Sequence, residues 1–323
     1  MIKPSFDLIK ECKDAKKIVV TGHIKPDGDC IGSTVATTLY LKKCLPEAEV
    51  RLLLEHPLPC FDEVKGIDII DSNYGGNPDE TDICIVLDTN AGRIGSAEPF
   101  FEKAKKTINI DHHFSNAEGS AMLNYIDPEA SSASEMVYRM IPKEVLDADI
   151  AMYLYIGITH DTGVFRYNST SKETHLAAAE LITYDFNFSE ILEKTYYEKT
   201  YEQVINIAGI VEKAEQYFDG KVIFGSVSYQ EYTERKLTPA DFDGAINELR
   251  IIKGCECAIF MYPMNEVTYK VSMRSIGTVN VANICELFGG GGHVRAAGFF
   301  KKAGLEELRN QILAAIAEQT GWK

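Results

Sequence analysis

A chain of 323 residues, 45% hydrophobic and 25% charged, has ordinary globular composition and is long enough for two domains. Its formal net charge of −15 argues against binding long duplex nucleic acid through a basic face, while a small anionic substrate fits if cations and a few arginines invert the potential locally. No leader pattern opens the chain, no apolar run is long enough to span a bilayer, and the 8 cysteines are scattered like reduced thiols; a cytoplasmic protein with no membrane partner is expected.

Residues 2–16 read as an amphipathic opening helix carrying Phe6, Leu8, Ile9, Cys12 and Ala15. Residues 17–20 form a β-branched run, the signal of a buried strand, and residues 34–41 read as a helix that Ser33 is placed to cap. Between them lies Thr21-Gly22-His23-Ile24-Lys25-Pro26-Asp27-Gly28-Asp29-Cys30-Ile31-Gly32-Ser33. In an open α/β sheet that loop stands at the carboxyl edge of the strands, where ligands bind. Taken alone, His23, Asp27 and Asp29 are explained as well by a tight turn and a loop histidine as by a metal site.

Residues 50–54 are a second strand candidate, and His56 after it reads as a loop residue. Asp82-Ile83-Cys84-Ile85-Val86-Leu87-Asp88 is continuously apolar between its aspartates, as parallel strands covered on both faces are. Asp88 at its end either caps the following turn or ligates. Residues 107–110 form a further strand that runs into Asp111-His112-His113. Neither histidine is needed for packing there, which favours ligation.

In residues 127–135, Ser132 precedes Glu135 by three positions, a capping box opening a helix toward Ile141; a contact to substrate phosphate is the sharper alternative. A helix over residues 149–159 closes in His160-Asp161-Thr162-Gly163. Residues 172–184 and 189–218 are helical in pattern, the second segment reading as a connector. Strands at 222–229, 257–262 and 267–273 then alternate with helices at 244–252 and 281–288. Cys255 and Cys257 would point to one face of a strand as core filling. Four glycines, 289–292, allow close approach of backbone N–H groups to an anion; a flexible turn is the plainer account of such a run, but its position between a helix and a strand-like segment, with His293 and Arg295 attached, favours anion binding. A last helix covers residues 305–319.

His23, Asp27, Asp29, Asp88, His112, His113 and Asp161 thus come from four separate loops, all expected at one edge of one sheet. This mixed set exceeds what one metal needs and suits a pair of divalent ions sharing a carboxylate. Imidazole with carboxylate favours Mn²⁺ over Mg²⁺ or Ca²⁺, and Zn²⁺, Fe²⁺ or Co²⁺ would also fit.

These segments, in this order, resemble the four motifs of the DHH phosphoesterase superfamily, and residues 289–299 resemble the DHHA1 module that follows it. Length and make-up are most similar to the nanoRNase (oligoribonuclease)/pAp phosphatase branch, related to RecJ-type exonucleases. The resemblance implies an α/β fold: an N-terminal DHH catalytic domain (1–190) with a mostly parallel sheet flanked by helices, a helical linker (191–218), and a smaller α/β DHHA1 substrate-binding domain (219–323) with a mixed sheet. It implies one ion on His23, Asp27 and Asp88 and a second on Asp29, Asp88, His112 and Asp161, with Asp88 bridging. Asp111 would orient the histidine pair, and His113 would contact the scissile phosphate and protonate the leaving oxygen. Arg274, Gly290, Gly291, Gly292, His293 and Arg295 would bind substrate; Arg166 is a weaker candidate.

The implied function is a two-metal Mn²⁺ phosphoesterase that hydrolyses short oligoribonucleotides to mononucleotides, and 3′-phosphoadenosine 5′-phosphate (pAp) to AMP, by attack of a metal-bridging hydroxide. The expected partners are short RNA or small adenine nucleotides, and a homodimer is compatible with the resemblance. The alternatives are a cyclic di-AMP or linear diadenylate phosphodiesterase and a non-catalytic nucleotide sensor. Cys30 stands where the family commonly has a small residue, and His160 precedes the fourth-motif aspartate; Cys30 is expected to be harmless and His160 to be a hydrogen-bond partner near the metals.

Overall fold

The structure, a computed structural model, describes residues 6–323. It divides into two compact units, one ending at Glu198 and the other beginning at Lys199. The opening-helix reading is described from Phe6 onward, as α1 (Leu8–Cys12); residues 2–5 lie outside the described residues.

The first unit is built on six parallel strands: β1 (Lys17–Thr21), β2 (Glu49–Leu53), β3 (Ile70–Asp71), β4 (Ile83–Leu87), β5 (Lys106–Asp111) and β6 (Leu123–Ile126). Their order is β3-β2-β1-β4-β5-β6. The winding therefore reverses between β1 and β4, and a crevice opens at the carboxyl ends of those two strands. Helices α2 (Gly28–Cys44), α3 (Glu98–Lys103), α4 (Ala133–Met140), α5 (Ala148–Asp161), α6 (Lys172–Leu181) and α7 (Phe188–Leu192) complete the unit. β4 shows why both sheet faces read as apolar. Ile83, Ile85 and Leu87 join the core shared with α2 and α5, while Cys84 and Val86 join Phe100 of α3 on the opposite face.

α2 begins at Gly28, six positions before the expected start, because Asp27 and not Ser33 caps it. Asp27 Oδ1 accepts the N–H groups of Asp29 and Cys30, both at 3.1 Å. Ser33 lies inside the helix and donates its hydroxyl to the Asp29 carbonyl at 2.7 Å. α2 packs tightly on α5: a Cβ added at Gly32 would stand 2.4 Å from the Tyr153 carbonyl oxygen.

The segment expected to be helical over 189–218 is broken. After α7 it makes a π-turn (Glu193–Tyr197), extends at Glu198, restarts as α8 (Tyr201–Glu212) and ends in a short strand, β7 (Glu215–Tyr217). Thr200 restarts the helix by accepting from Gln203 N, and Gln203 answers on the Thr200 N–H.

The second unit continues with β8 (Val222–Ser226), α9 (Tyr229–Glu234), α10 (Ala245–Arg250), β9 (Cys257–Asn265), β10 (Thr268–Ser275), α11 (Val281–Leu287), β11 (Gly291–His293), β12 (Ala296–Lys302) and α12 (Leu305–Thr320). Its sheet order is β11-β12-β10-β9-β8-β7, antiparallel throughout except for the parallel pair β8–β9. α11 and α12 cover one face, and α8 and α10 the other, with Ile207 and Ile210 of α8 in that core. Cys255 and Cys257 are both buried but lie in different cores, because β9 starts only at Cys257 and Cys255 belongs to the preceding turn.

Candidate metal centre

The site is assembled at the β1/β4 crevice. β1 leads into His23 and Asp27; Asp29 sits in the first turn of α2; Asp88 follows β4; His112 and His113 follow β5; Asp161 ends α5. His23 donates Nδ1–H to the Ile24 carbonyl at 2.9 Å, which leaves Nε2 as the inward-facing nitrogen. That Nε2 lies 3.6 Å from Asp27 Oδ1 and 3.4 Å from Asp88 Oδ2. On the other side, His112 Nε2 lies 3.4 Å from Asp88 Oδ1, 3.4 Å from Asp161 Oδ2 and 3.9 Å from Asp29 Oδ2. Asp88 thus presents one oxygen to each half of the cluster.

Backbone and hydrogen bonds fix these side chains. Asp88 adopts the left-handed conformation, φ +58°, rare outside glycine and of the kind strained sites hold. Asp29 accepts the N–H groups of Ala133 and Ser134 at 2.7 and 2.9 Å, so the amino end of α4 is satisfied by a carboxylate of the cluster. Ser132 caps α4 through Glu135 N at 3.0 Å; the Glu135 carboxylate turns to Ser131 and Thr174 instead of completing the box. Asp111 accepts His113 Nδ1–H at 2.7 Å and the Asn116 amide at 2.7 Å. The His113 side chain is 25% exposed and that of His112 8%, so His113 is the more open of the pair.

The electrostatics follow from burying so many carboxylates together. Burial, then the charges of Asp88 and Asp161, pushes the Asp29 carboxyl well up. Burial raises Asp161 to about 6, with His112 opposing and Asp88 adding to the rise. Burial opposes ionisation of Asp88 as well, yet the imidazoles of His112 and His23, each 3.4 Å from one of its oxygens, hold its carboxyl well below the usual range. His112 is raised despite burial, chiefly by Asp161 and Asp88.

The donor set fits divalent cations. Ligating atoms of His23, Cys30 and Asp88, of Asp88, His112 and His113, and of Asp29, His112 and Asp161 form three groups, each within 4.8 Å. Asp88 Oδ1 is buried and accepts no hydrogen bond from the described residues. Cations are the natural compensation for such a crowd of buried carboxylates.

Cys30 and His160 both stand beside the cluster. Cys30, expected to be a harmless replacement, lies with its thiol among His23 and Asp88. His160 turns to Thr195 Oγ1 at 3.1 Å and packs against Phe61, Tyr196 and Gly28. Asn116 was not singled out by sequence; its only signal is a polar residue shortly after the histidine pair. After Asp161 the chain turns through three left-handed residues, Gly163, Val164 and Phe165, before Arg166.

The second-unit candidates lie on or beside one sheet, with Gly290 just before β11 and Arg295 in the turn between β11 and β12. Arg274 of β10 pairs with Ala296 of β12, which pairs in turn with His293 of β11. Arg295 donates to the Val279 carbonyl at 3.0 Å, and Arg274 to the Met273 carbonyl at 3.1 Å. Gly289 and Gly290 N–H groups close the end of α11 on the Glu286 and Cys285 carbonyls. Gly290 and Gly292 are held to glycine by close approach, since an added Cβ would stand 2.3 Å from the Gly298 carbonyl oxygen and 2.5 Å from that of Ala296. His56 is an open loop residue, as expected, with its side chain 79% exposed.

A doubly wound parallel sheet with a largely buried His/Asp cluster at its switch point, followed by a mixed-sheet unit, is an arrangement compatible with a metal-dependent hydrolase. Residues 17–158 match the DHH family, N-terminal domain, and residues 219–320 match the DHHA1 domain. The chain belongs to the DHH/DHHA1 phosphoesterases and is a phosphoric ester hydrolase. It is 29% identical over 301 residues to the bifunctional oligoribonuclease and PAP phosphatase NrnA of Bacillus subtilis, across 90% of this chain and 91% of that protein. It is 28% identical over 306 residues to the NrnA of Thermus thermophilus, across 94% and 90%. The crystal structure of an exopolyphosphatase-related protein from Bacteroides fragilis superposes with a TM-score of 0.87 at 26% identity, covering 96% of this chain and 94% of that one. Among the described residues no helix is long and apolar enough to cross a membrane.

Proposed function

We propose that this phosphoesterase uses two divalent cations, Mn²⁺ by donor preference, to hydrolyse short oligoribonucleotides to mononucleotides and pAp to AMP. The observation that carries the two-cation reading is Asp88, whose oxygens face His23 on one side and His112 on the other, each at 3.4 Å. His23, Asp27 and Asp88 would hold one ion, and Asp29, Asp88, His112 and Asp161 the other. Such a pair supplies the charge that activates water and clamps the attacking and leaving oxygens of an in-line displacement.

The chain's own groups do the rest. Asp111 holds the His113 ring by its Nδ1–H, and His113, the more open histidine, contacts the scissile phosphate and protonates the leaving oxygen. Asp111 would act through His113, and Asp88 through the ions it would hold. Gly290, Gly291, Gly292, His293 and Arg295 of the DHHA1 unit would bind the substrate's phosphates and Arg274 a base or phosphate, while the DHH unit performs the chemistry. The relatives named as oligoribonucleases and PAP phosphatases support this substrate class.

The test is a Mn²⁺-dependent hydrolysis panel on one purified sample: di- to pentaribonucleotides, pAp, linear diadenylate and cyclic di-AMP. Mononucleotides from the short RNAs, with AMP and phosphate from pAp, are the expected products. Selective cleavage of cyclic or linear diadenylate with pAp untouched would overturn the assignment, and no hydrolysis of any substrate would leave only nucleotide binding.

A further inference from the structure

Phe114 follows His113 directly, and its ring is 77% exposed. A single exposed aromatic carries no meaning by itself; what distinguishes this one is its mounting. It opens a 3-10 turn (Phe114–Asn116) that closes by Asn116 N–H donating to the His113 carbonyl at 3.0 Å. The Asn116 side chain then donates to Asp111 Oδ2 at 2.7 Å and to Asn109 Oδ1 at 2.8 Å. Asp111 is the residue that holds His113. One buried network therefore fixes both the histidine at the reacting phosphate and the aromatic beside it. A ring on a rigid turn loses little entropy on binding, and this ring is open to solvent one residue along the chain from His113.

We propose that Phe114 is the base-stacking platform for the nucleoside attached to the scissile phosphate. The inference rests on the nucleotide-substrate reading above and deepens it. Stacking on an aromatic face is tolerant of base identity, because every base has a π-face, and it suits an enzyme that must accept short RNA of any sequence. It also orients a small substrate that has too few phosphates to be held by charge alone. Phe114 thus selects nucleosidic phosphoesters over base-free ones of equal charge.

The experiment uses the full chain with Mn²⁺ and compares wild type, Phe114→Ala, Phe114→Leu and Phe114→Trp. The substrates are pAp, a diadenylate, and the matched dinucleotide whose scissile-side nucleoside is abasic. The ring is exposed, so circular dichroism and melting of the variants should match wild type. Phe114→Ala is expected to raise KM for pAp and the diadenylate about tenfold with a much smaller change in kcat, Leu to recover little, and Trp to return KM to near the wild-type value. Wild type should lose a similar factor when the base is removed, and the Ala variant should then lose little more. Unchanged KM for the Ala variant on base-bearing substrates would overturn the proposal while leaving the nucleotidase reading intact, as would an equal KM rise on the abasic substrate. Wild type that hydrolyses none of the nucleotides would overturn both.

Discussion

Asn116 donates its side-chain amide to Asp111 at 2.7 Å, and Asp111 in turn accepts Nδ1–H of His113 at 2.7 Å. Asp111 is fully buried, so each of its hydrogen bonds replaces solvation that the fold has removed. Removing the amide leaves a buried carboxylate short of a donor and frees the histidine ring to swing. Asn116→Ala is expected to cost about 1–3 kcal/mol of stability and to lower kcat about 10–100-fold, as loss of groups behind a functional histidine does. Steady-state kinetics with a metal titration checks this. A drop in Mn²⁺ affinity with kcat per bound metal unchanged would mean that the network serves the ions and not His113.

Asp88 calls for asparagine as its probe, not alanine. Its φ of +58° is a conformation asparagine adopts more readily than alanine, so Asp88→Asn changes charge without adding backbone strain. On the proposed two-cation reading, in which Asp88 would be the shared ligand, the variant should lower hydrolysis on the order of a thousandfold, consistent with the several kcal/mol a catalytic cation supplies. Mn²⁺ bound per chain, counted by equilibrium dialysis, should fall at the same time. Retention of two tightly bound ions by this variant would remove Asp88 from the bridging role.

The clustering of the strand-end candidates was legible because a single rule, polar residues where apolar strands stop, places them at one sheet edge, where the structure brings them together. That rule needs only local sequence. What escaped it depends on contacts distant in the chain. Asp27 and Ser33 are both good caps, and only the packing of the first turn of α2 decides for Asp27, which also brings Asp29 onto the helix. Asn116 matters because the chain folds back beneath Asp111. Cys255 and Cys257 parted because a strand began two residues later than their spacing suggested. Gly32 and Gly157 meet across two helices, which no local pattern reports.

That helix contact sets a third prediction. A Cβ on Gly157 would lie 1.8 Å from Ser134 Oγ and 2.7 Å from Asp29 Oδ1, so Gly157→Ala must push α5 away from the carboxylate that ties α2 to α4. The expected cost is about 1–3 kcal/mol, the range for overpacking, together with loss of activity through Asp29. Gly209 of α8 has nothing within 4 Å of an added Cβ. There Ala should stabilise by about 0.4–1 kcal/mol by restricting the unfolded chain and favouring helix. Denaturant midpoints for the two variants should move in opposite directions; a shift of both in one direction would contradict the close packing of α5 on Asp29.

Asp82 supplies a pH-dependent element away from the metal centre. Its carboxylate accepts Lys105 Nζ at 2.7 Å and the N–H groups of Lys16 and Lys17 at 2.8 and 3.0 Å, which ties the start of β1 to the start of β4. These bonds, Lys105 first, lower its carboxyl from 3.8 to about 2. A depressed folded-state value means that stability is fully present above the unfolded value near 4 and is lost as pH falls through 2. The Lys105 side chain is largely exposed, and screening reduces the contribution to about 1 kcal/mol. Asp82→Asn should therefore unfold more easily than wild type in urea at pH 7. The gap between the two should narrow steadily from pH 4 toward pH 2, because wild type also becomes neutral at this position. A gap that stays constant over that interval would show that the bonds to Asp82 do not depend on its charge.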